Sequence, residues 1–354
     1  MRNNLAVLAA LLLAGCAAPL ATTRGQFTNP VLDADFADPA ILKAADGFYY
    51  AYATQTERDG KMVNIQVARS SDLVRWQHLG DALPAKASWA SRTQDYWAPH
   101  VHFADGRYFL YYSAKPDAAL ADDKLGLCLA AATSDSPQGP FTDIGRPLQC
   151  GPGFVNIDPM AFDDPATGKR LLYWGSGFEP IKVQELGPDR LSFAPGSRPI
   201  DLLRVDKTDD PANYERLIEG AWVILRDGWY YMFYSGDNCC GPKAHYAAMV
   251  ARSRSATGPF ETLEKAAGVP GSVMLASRGR WFAPGHNSII QDGAGKDWIL
   301  YHAVDTGRPR TKPTDDVNTR RIMLVDRIEW RDGWPRMAGD GPSTASVPAP
   351  RTGR

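Results

Sequence analysis

Three carboxylates, Asp38, Asp158 and Glu219, each precede an apolar and aromatic run, and their residue type and spacing could support chemistry. His286 occupies a fourth position of the same kind. A single Asp before Pro would most simply be a turn residue, but three acids at equivalent positions indicate a shared site. A pair of carboxyl groups across a pocket is what glycoside hydrolysis needs, because one protonates the leaving oxygen while the other activates water or attacks the sugar carbon. A third carboxylate nearby can raise the pKa of the acid.

The elements that must position these side chains repeat along the chain. Each is a run of about four to eight β-branched and aromatic residues bounded by Gly, Pro or Asp, which is typical of strands. Successive starts are separated by roughly 60, 60, 61 and 66 residues, and they are Asp38, Ala98, Asp158, Glu219 and Gly285. Five similar units predict an all-β fold, a five-bladed β-propeller, in which the innermost strands bring their first residues to one mouth.

The first sixteen residues resemble a lipoprotein signal peptide. Arg2 is followed by an apolar stretch over residues 5–13, which is too short to span a bilayer as a mature helix. The segment ends in Leu13-Ala14-Gly15-Cys16, similar to a bacterial lipobox. We therefore expect an exported bacterial lipoprotein, lipidated at Cys16 and anchored to the membrane, either periplasmic or at the cell surface. An ordinary signal peptide cleaved near Ala17 or Ala18 is the alternative.

Composition divides the remaining chain into three parts. Residues 17–30 are rich in Ala, Thr, Gly and Pro, which predicts a flexible tether. Residues 31–337 are expected to form one catalytic propeller domain, and residues 338–354 a disordered tail. The formal net charge of −1, with dispersed charges, lacks the basic surface typical of nucleic-acid-binding proteins.

Four cysteines besides Cys16 remain in a chain that we expect to be exported, and an even number permits disulfides. Their spacing does not match the paired pattern of zinc ligands, so we expect no zinc site. We favour pairing Cys128 with Cys150 and Cys239 with Cys240, with free buried thiols as the alternative.

The motifs around the blade starts resemble glycoside hydrolase family 43 from about Asp33 to Met337. They are Ala37-Asp38-Pro39, Trp97-Ala98-Pro99, Ile157-Asp158-Pro159, Glu219-Gly220 and Gly285-His286-Asn287-Ser288. Within that family, four segments look most like arabinan-degrading members: Asn156 to Pro159, Cys239-Cys240-Gly241, Gly285-His286-Asn287-Ser288 and Trp330 to Pro335. One departure is Glu219-Gly220-Ala221, where the family often has Glu-Gly-Pro, so this chain lacks a rigid proline after the glycine but keeps the carboxyl group.

The resemblance implies hydrolysis with inversion. Asp38 would be the general base, Glu219 the general acid, and Asp158 the residue that orients the acid and modulates its pKa. His286 matches a histidine that helps to hold Ca²⁺ or another ion in the axial channel, largely through water. A hydrogen-bonded core histidine is the alternative, because oxygen ligands dominate calcium sites.

Substrate contacts are expected around the same mouth. Trp97 is a candidate stacking platform for a furanose ring, or else a core wedge, and His100 and Asn287 are candidate rim contacts. We expect a monomer that acts on a plant-type polysaccharide or oligosaccharide, either as an endo-arabinanase or as an exo-acting α-L-arabinofuranosidase. The same chemistry on β-xylosides or galactofuranosides is the first alternative, because fold and carboxylates do not select the sugar. A noncatalytic sugar-binding propeller ranks last, because both working acids are present.

Overall fold

The computed structural model describes residues 25–312, 319–339 and 341–352. The predicted signal peptide, the predicted lipidation site Cys16 and residues 17–24 of the expected tether lie outside the described residues. In the described parts of the chain, no helix has the length and apolar character that crossing a membrane requires.

Two short strands, β1 (Gln26–Phe27) and β2 (Leu32–Asp35), precede the first blade and belong to other sheets. The strands that follow are β3 (Ala40–Lys43), β4 (Tyr49–Ala53), β5 (Thr56–Arg58), β6 (Lys61–Val63), β7 (Gln66–Ser70) and β8 (Gln77–Asp81). Blade one is the antiparallel sheet β3-β4-β7-β8, and β5 pairs with β6 in a separate hairpin.

Blades two and three repeat this antiparallel order. Blade two contains β9 (Tyr96–Ala104), β10 (Arg107–Ala114), β11 (Cys128–Ser134), β12 (Thr142–Asp143) and β13 (Gln149–Cys150). Blade three contains β14 (Met160–Asp163), β15 (Arg170–Trp174), β16 (Ile181–Glu185) and β17 (Ile200–Leu203). Both β12 and β13 pair with β11, so the outer edge of blade two is built from two short segments.

Blade four contains β18 (Ile218–Arg226), β19 (Trp229–Asn238), β20 (His245–Ser253), β21 (Glu261–Thr262) and β22 (Val273–Leu275). Blade five contains β23 (Trp281–Gln291), β24 (Asp297–Asp305), β25 (Arg321–Arg331) and β26 (Trp334–Met337). Its remaining strand is β2, which pairs with β25. A strand from the start of the chain therefore closes the ring, and the predicted five-bladed β-propeller is confirmed.

The helices of the described residues are short. They are α1 (Leu263–Ala267) and the 3-10 helices Ser88–Ala90, Asp117–Leu120 and Tyr214–Arg216.

Aromatic side chains fill the space between blades. The second strand of every blade carries a fully buried tyrosine, and these are Tyr52, Tyr111, Tyr173, Tyr234 and Tyr301. All five residues of β4 are buried. Because neighbouring blades cover both faces of such a strand, its sequence is a continuous apolar run rather than an alternating one.

Just before or within the innermost strand of each blade lies a residue in the left-handed backbone region, and five such residues surround the axis. Their φ values are 58° for Asp38, 43° for Ala98, 58° for Asp158, 63° for Gly220 and 33° for His286. Residues other than Gly seldom adopt this conformation. The backbone therefore aligns Gly220 and His286 with Asp38 and Asp158, one residue after the positions Glu219 and Gly285 that we used in the sequence repeat.

Both ends of the domain extend beyond the expected limits of 31–337. Strand β1 pairs with β27 (Val347–Pro348), so part of the expected tether and part of the expected disordered tail form one small sheet. Phe27 and Asn29 are buried, and Asn29 Nδ2 donates to Ser343 Oγ at 2.9 Å. The prediction of a disordered tail is therefore wrong for residues 341–352, because buried polar and aromatic contacts hold them against blade five.

Candidate active site

A cavity of about 250 Å³ opens where the blade starts converge. Asp38, Trp97, Asp158, Glu219 and His286 all line it. These five residues lie far apart in sequence and come from different blades, so the ring brings them together. Three larger depressions, of about 910, 950 and 560 Å³, are lined by other parts of the chain.

Asp38 is the carboxylate with the strongest positive environment. Arg321 Nη1 donates to Asp38 Oδ1 at 3.0 Å, and the Thr54 hydroxyl donates to Oδ2. Burial by itself would raise the pKa of Asp38, but the positive charge of Arg321 is the strongest opposing influence and holds the pKa well below its usual value. Asp38 is therefore ionised, as a general base must be.

His302 holds the backbone of Asp38 through a hydrogen bond. The backbone N–H of Asp38 donates to His302 Nδ1 at 3.0 Å. Burial lowers the pKa of His302 to about 4, so the ring is neutral near pH 7 and can accept this hydrogen bond. Its ring also stacks on Tyr246, with centroids 5.8 Å apart.

Glu219 has the opposite electrostatic environment. Burial, together with the negative charge of Asp38, raises the pKa of Glu219 to about 7, against the lowering effects of Tyr246 and Arg321. Tyr246 Oη donates to Glu219 Oε1 at 2.7 Å and fixes its orientation. A carboxyl group that keeps its proton near neutral pH can act as a general acid.

Asp158 lies against the backbone of the acid. The N–H of Gly220 donates to Asp158 Oδ2 at 3.0 Å, and the N–H of Asp158 donates to Ser113 Oγ at 3.2 Å. Burial and the charges of Glu219 and Asp38 raise the pKa of Asp158 well above its usual value. Since the charge of Glu219 raises the pKa of Asp158, the two acids titrate as a pair that holds at least one proton near neutral pH.

His286 lies between the two aspartates. Its Nδ1 is 3.7 Å from both Asp38 Oδ1 and Asp158 Oδ2. Burial lowers the pKa of His286, which favours the neutral ring. A Cβ atom at Gly220 would lie 3.2 Å from His286 Nδ1, so the close approach of this backbone and the imidazole favours glycine.

The residues around His286 do not fit a directly coordinated calcium ion, which takes about six to eight oxygen ligands. Among the described residues, no group of three or more His, Cys, Asp or Glu side chains could hold a metal ion. The space beneath His286 measures about 10 Å³, close to the size of one water molecule. A water-mediated role for His286 in holding an ion stays a prediction.

His100 and Asn287 lie in this lower space and do not line the carboxylate cavity. They are only 6% and 1% exposed. His100 packs its ring against Trp222 with centroids 5.1 Å apart and accepts a hydrogen bond from the N–H of Ala161. The expectation of rim contacts is therefore corrected: both residues follow the blade starts along the innermost strands and are buried beside this second space.

Trp97 does line the cavity and is half-buried. The adjacent N–H of Ala98 donates to Thr54 Oγ1 at 2.8 Å, and the same hydroxyl donates to Asp38. Thr54 thus links the position of Trp97 to that of the base. A sugar-stacking role for Trp97 stays a prediction.

Sequence reasoning missed four residues that hold the carboxylates: Thr54, Tyr246, His302 and Arg321. They follow or belong to β4, β20, β24 and β25, and not to the innermost strands that carried the repeat signal. A histidine inside the otherwise apolar run of β24 was the one available signal for His302.

The structure contains both of the disulfides that we favoured from the sequence. Cys128 bonds to Cys150 across the pairing of β11 with β13. Cys239 bonds to Cys240, and both residues line the carboxylate cavity. Cys239 Sγ lies 4.0 Å from Arg321 Nη1, so this disulfide forms part of the wall beside the base.

Comparisons with known proteins agree with this geometry. The family model described as glycosyl hydrolases family 43 matches residues 27–335. An extracellular endo-alpha-(1->5)-L-arabinanase of Bacillus subtilis is 27% identical over 93% of this chain and 95% of its own length. A beta-D-galactofuranosidase of Aspergillus niger is 27% identical over 88% of this chain and 84% of its own length.

A solved structure supports the same relationship. The crystal structure of a thermostable family-43 glycoside hydrolase superposes with a TM-score of 0.72 at 28% identity, covering 92% of this chain and all of that one. Because the family model spans most of the sequence and its motifs surround the carboxylate cavity, the chain belongs to glycosyl hydrolase family 43.

Proposed function

We propose that this protein is an inverting glycoside hydrolase that cleaves α-L-arabinofuranosidic linkages in arabinan or arabino-oligosaccharides. The observation that carries the proposal is the division of charge in one cavity. Asp38 is held ionised by Arg321, whereas burial raises the pKa of Glu219 to about 7. Pairs of titratable groups whose environments push their pKa values apart are the mark of acid and base assignments.

In the proposed reaction, Asp38 accepts a proton from a water molecule as the water oxygen bonds to the anomeric carbon. The bond from that carbon to the glycosidic oxygen breaks, and Glu219 donates its proton to this oxygen. Asp158 acts through the backbone, because it accepts the hydrogen bond from Gly220, the residue directly after the acid. Tyr246 holds the carboxyl group of Glu219 in place.

The sugar is assigned by similarity. The Bacillus subtilis relative is named for arabinan, and it aligns over nearly the whole of both chains. The Aspergillus niger relative has the same identity and is named for galactofuranosides, which makes that substrate the second candidate. Neither the carboxylates nor the fold separates the two sugars.

We also propose that the protein is exported, which the extracellular Bacillus subtilis relative supports. Anchoring through a lipid on Cys16, and action as a monomer, rest on the sequence alone. Labelling with a radioactive fatty acid in the bacterial host, with Cys16→Ser as the control, tests the anchor.

The function is tested by following products on linear α-1,5-arabinan beside β-1,4-xylan and a galactofuranoside. Arabinose or arabino-oligosaccharides released from arabinan support the proposal. Oligosaccharides early in the reaction indicate endo action, and arabinose alone indicates exo action. Cleavage of another substrate only would keep the mechanism and overturn the sugar, and binding without cleavage of any would favour a noncatalytic propeller.

A further inference from the structure

Phe178 is an unusual surface residue beside the active site. Its side chain is 58% exposed, the largest exposure among the large apolar residues that the structure describes. Its ring packs against Phe154 with centroids 5.7 Å apart and planes inclined by 64°. Phe154 lines the carboxylate cavity, so the two rings extend one wall of that cavity outwards to solvent.

The backbone around Phe178 has an uncommon conformation. Phe178 has a φ of 68°, which is rare for a bulky residue. Ser176 lies two residues before Phe178, and its hydroxyl donates to the carbonyl of Ile218, the residue before Glu219. Gly177 lies so close to Phe154 that a Cβ atom there would be 2.7 Å from the Phe154 carbonyl carbon.

The segment that carries Phe154 is equally well fixed. The N–H groups of Gly126 and Leu127 donate to the carbonyls of Gly151 and Gly153, each at 2.8 Å. The Cys128–Cys150 disulfide anchors the same segment one residue before it begins. Two separate loops are thus tied to the blades and hold a pair of aromatic rings in one place before any ligand arrives.

From these contacts we infer that Phe178, packed edge-to-face against Phe154, forms a stacking platform for a sugar ring of the substrate chain, next to the ring whose glycosidic bond the site cleaves. This inference rests on the proposed function. An aromatic face is electron-rich and apolar, and the C–H face of a furanose ring matches it in both respects. Because the rings are held in advance, the ligand does not have to order them, which favours binding. The occupant is therefore a neighbouring sugar of the same glycan.

The test compares kcat/KM on α-1,5-arabino-oligosaccharides of increasing length for wild type, Phe178→Ala and Phe178→Tyr. Phe178→Ala is expected to lose roughly three- to tenfold on chains long enough to reach the platform, by analogy with measured aromatic contacts. On the shortest substrate, kcat/KM of Phe178→Ala should equal the wild-type value. On long substrates, Phe178→Tyr should have the wild-type kcat/KM.

Phe103→Ala is the matched control, because Phe103 is also an exposed phenylalanine, 42% exposed, near the other end of β9 from Trp97. The substitution should leave the length dependence unchanged. A binding titration of the same oligosaccharides in Glu219→Gln, with and without Phe178→Ala, should show the same three- to tenfold difference in Kd for long chains.

Suppose that the wild type cleaves the oligosaccharides. If Phe178→Ala then leaves kcat/KM unchanged at every chain length, or lowers it equally at every length, the platform is contradicted but the proposed function is not. A wild type that cleaves none of the oligosaccharides would overturn the proposed function and the platform with it. A lower Tm of Phe178→Ala without any effect on long chains would show that the ring is structural.

Discussion

At the scale of single residues, catalysis depends on two carboxyl groups that share a cavity and differ in charge. Burial acts on both Asp38 and Glu219 and raises the pKa of each. Arg321 reverses this effect for Asp38, to which it donates at 3.0 Å, and only weakens it for Glu219. The position of one guanidinium therefore decides which carboxyl is the base.

Replacing the acid should affect substrates according to their leaving group. Glu219→Ala is expected to lower kcat on arabino-oligosaccharides by about 10²- to 10⁴-fold, the usual contribution of general acid catalysis. Aryl arabinofuranosides should lose much less, because their leaving group needs no proton. Steady-state kinetics on both substrates measures this, with Glu261→Ala, at an exposed glutamate of β21, as the control. Equal losses on both would contradict the acid role.

The pH dependence should report both groups. Glu219 must be protonated, so kcat/KM should fall as the pH rises through about 7. Asp38 must be ionised, and its lowered pKa should keep the enzyme active into the acidic range. Arg321→Gln removes a charge that lowers both pKa values, so both limbs of the profile should move to higher pH.

Arg320→Gln is the control for that profile, because Arg320 pairs with Asp33 and not with Asp38. Both limbs of the kcat/KM profile of Arg320→Gln should stay at their wild-type pH values. Unmoved limbs in Arg321→Gln would show that the guanidinium does not set the two pKa values.

The three acids could be predicted from the sequence because they lie at the repeated starts of blades. Arg321 could not, because it begins the third strand of the last blade and has no equivalent in the repeat. Its partner Asp38 lies 283 residues away in the chain, so only closure of the ring brings them together.

At the scale of elements, the blade starts position the site through their backbone. Five left-handed residues lie just before or within the innermost strands. Sequence spacing found the five units, but it assigned Glu219 and Gly285 where the backbone uses Gly220 and His286. Sequence spacing cannot detect a shift of one residue, because it carries no information about the backbone angle φ.

Gly220→Ala tests the role of this backbone. With a φ of 63°, alanine should cost about 1–2 kcal/mol of folding stability. Its Cβ would also press on His286 and displace the N–H that binds Asp158, so kcat/KM should fall. Denaturant unfolding and kinetics measure the two effects.

Gly228→Ala provides the matched comparison. Gly228 has a φ of 74° in the turn between β18 and β19, where a Cβ would meet only the end of the Arg254 side chain at 3.5 Å. The Gly228→Ala variant should lose about as much folding stability as Gly220→Ala and keep the wild-type kcat/KM. Equal activity in the two variants would show that Gly220 has no part in positioning the acid.

At the scale of the whole molecule, both chain ends contribute to the closed ring. Strand β2 completes blade five, and β1 pairs with β27. Composition predicted a tether and a disordered tail, because the segments are rich in Gly, Pro and small residues. The structure differs because a few well-placed side chains, among them Asn29 and Ser343, find buried partners across 314 residues of chain.

Truncation after Gly339 should therefore destabilise the propeller. It removes Ser343, which bonds to Asn29, to Asp326 and to the indole N–H of Trp281. Three buried hydrogen bonds at about 1 kcal/mol each predict a loss of about 3 kcal/mol. Urea unfolding measures it against a chain that ends at Thr352, and an unchanged midpoint would mean that the tail contributes nothing.

The central claim is that Asp38 activates a water molecule while Glu219 protonates the leaving oxygen. The most direct test is proton NMR of the sugar released from an aryl α-L-arabinofuranoside in the first minutes of reaction. An inverting enzyme, in which water attacks from the face opposite the leaving group, releases the β-anomer first, and mutarotation forms the α-anomer later. First appearance of the α-anomer would indicate a covalent intermediate and contradict the assignment of Asp38 as a base.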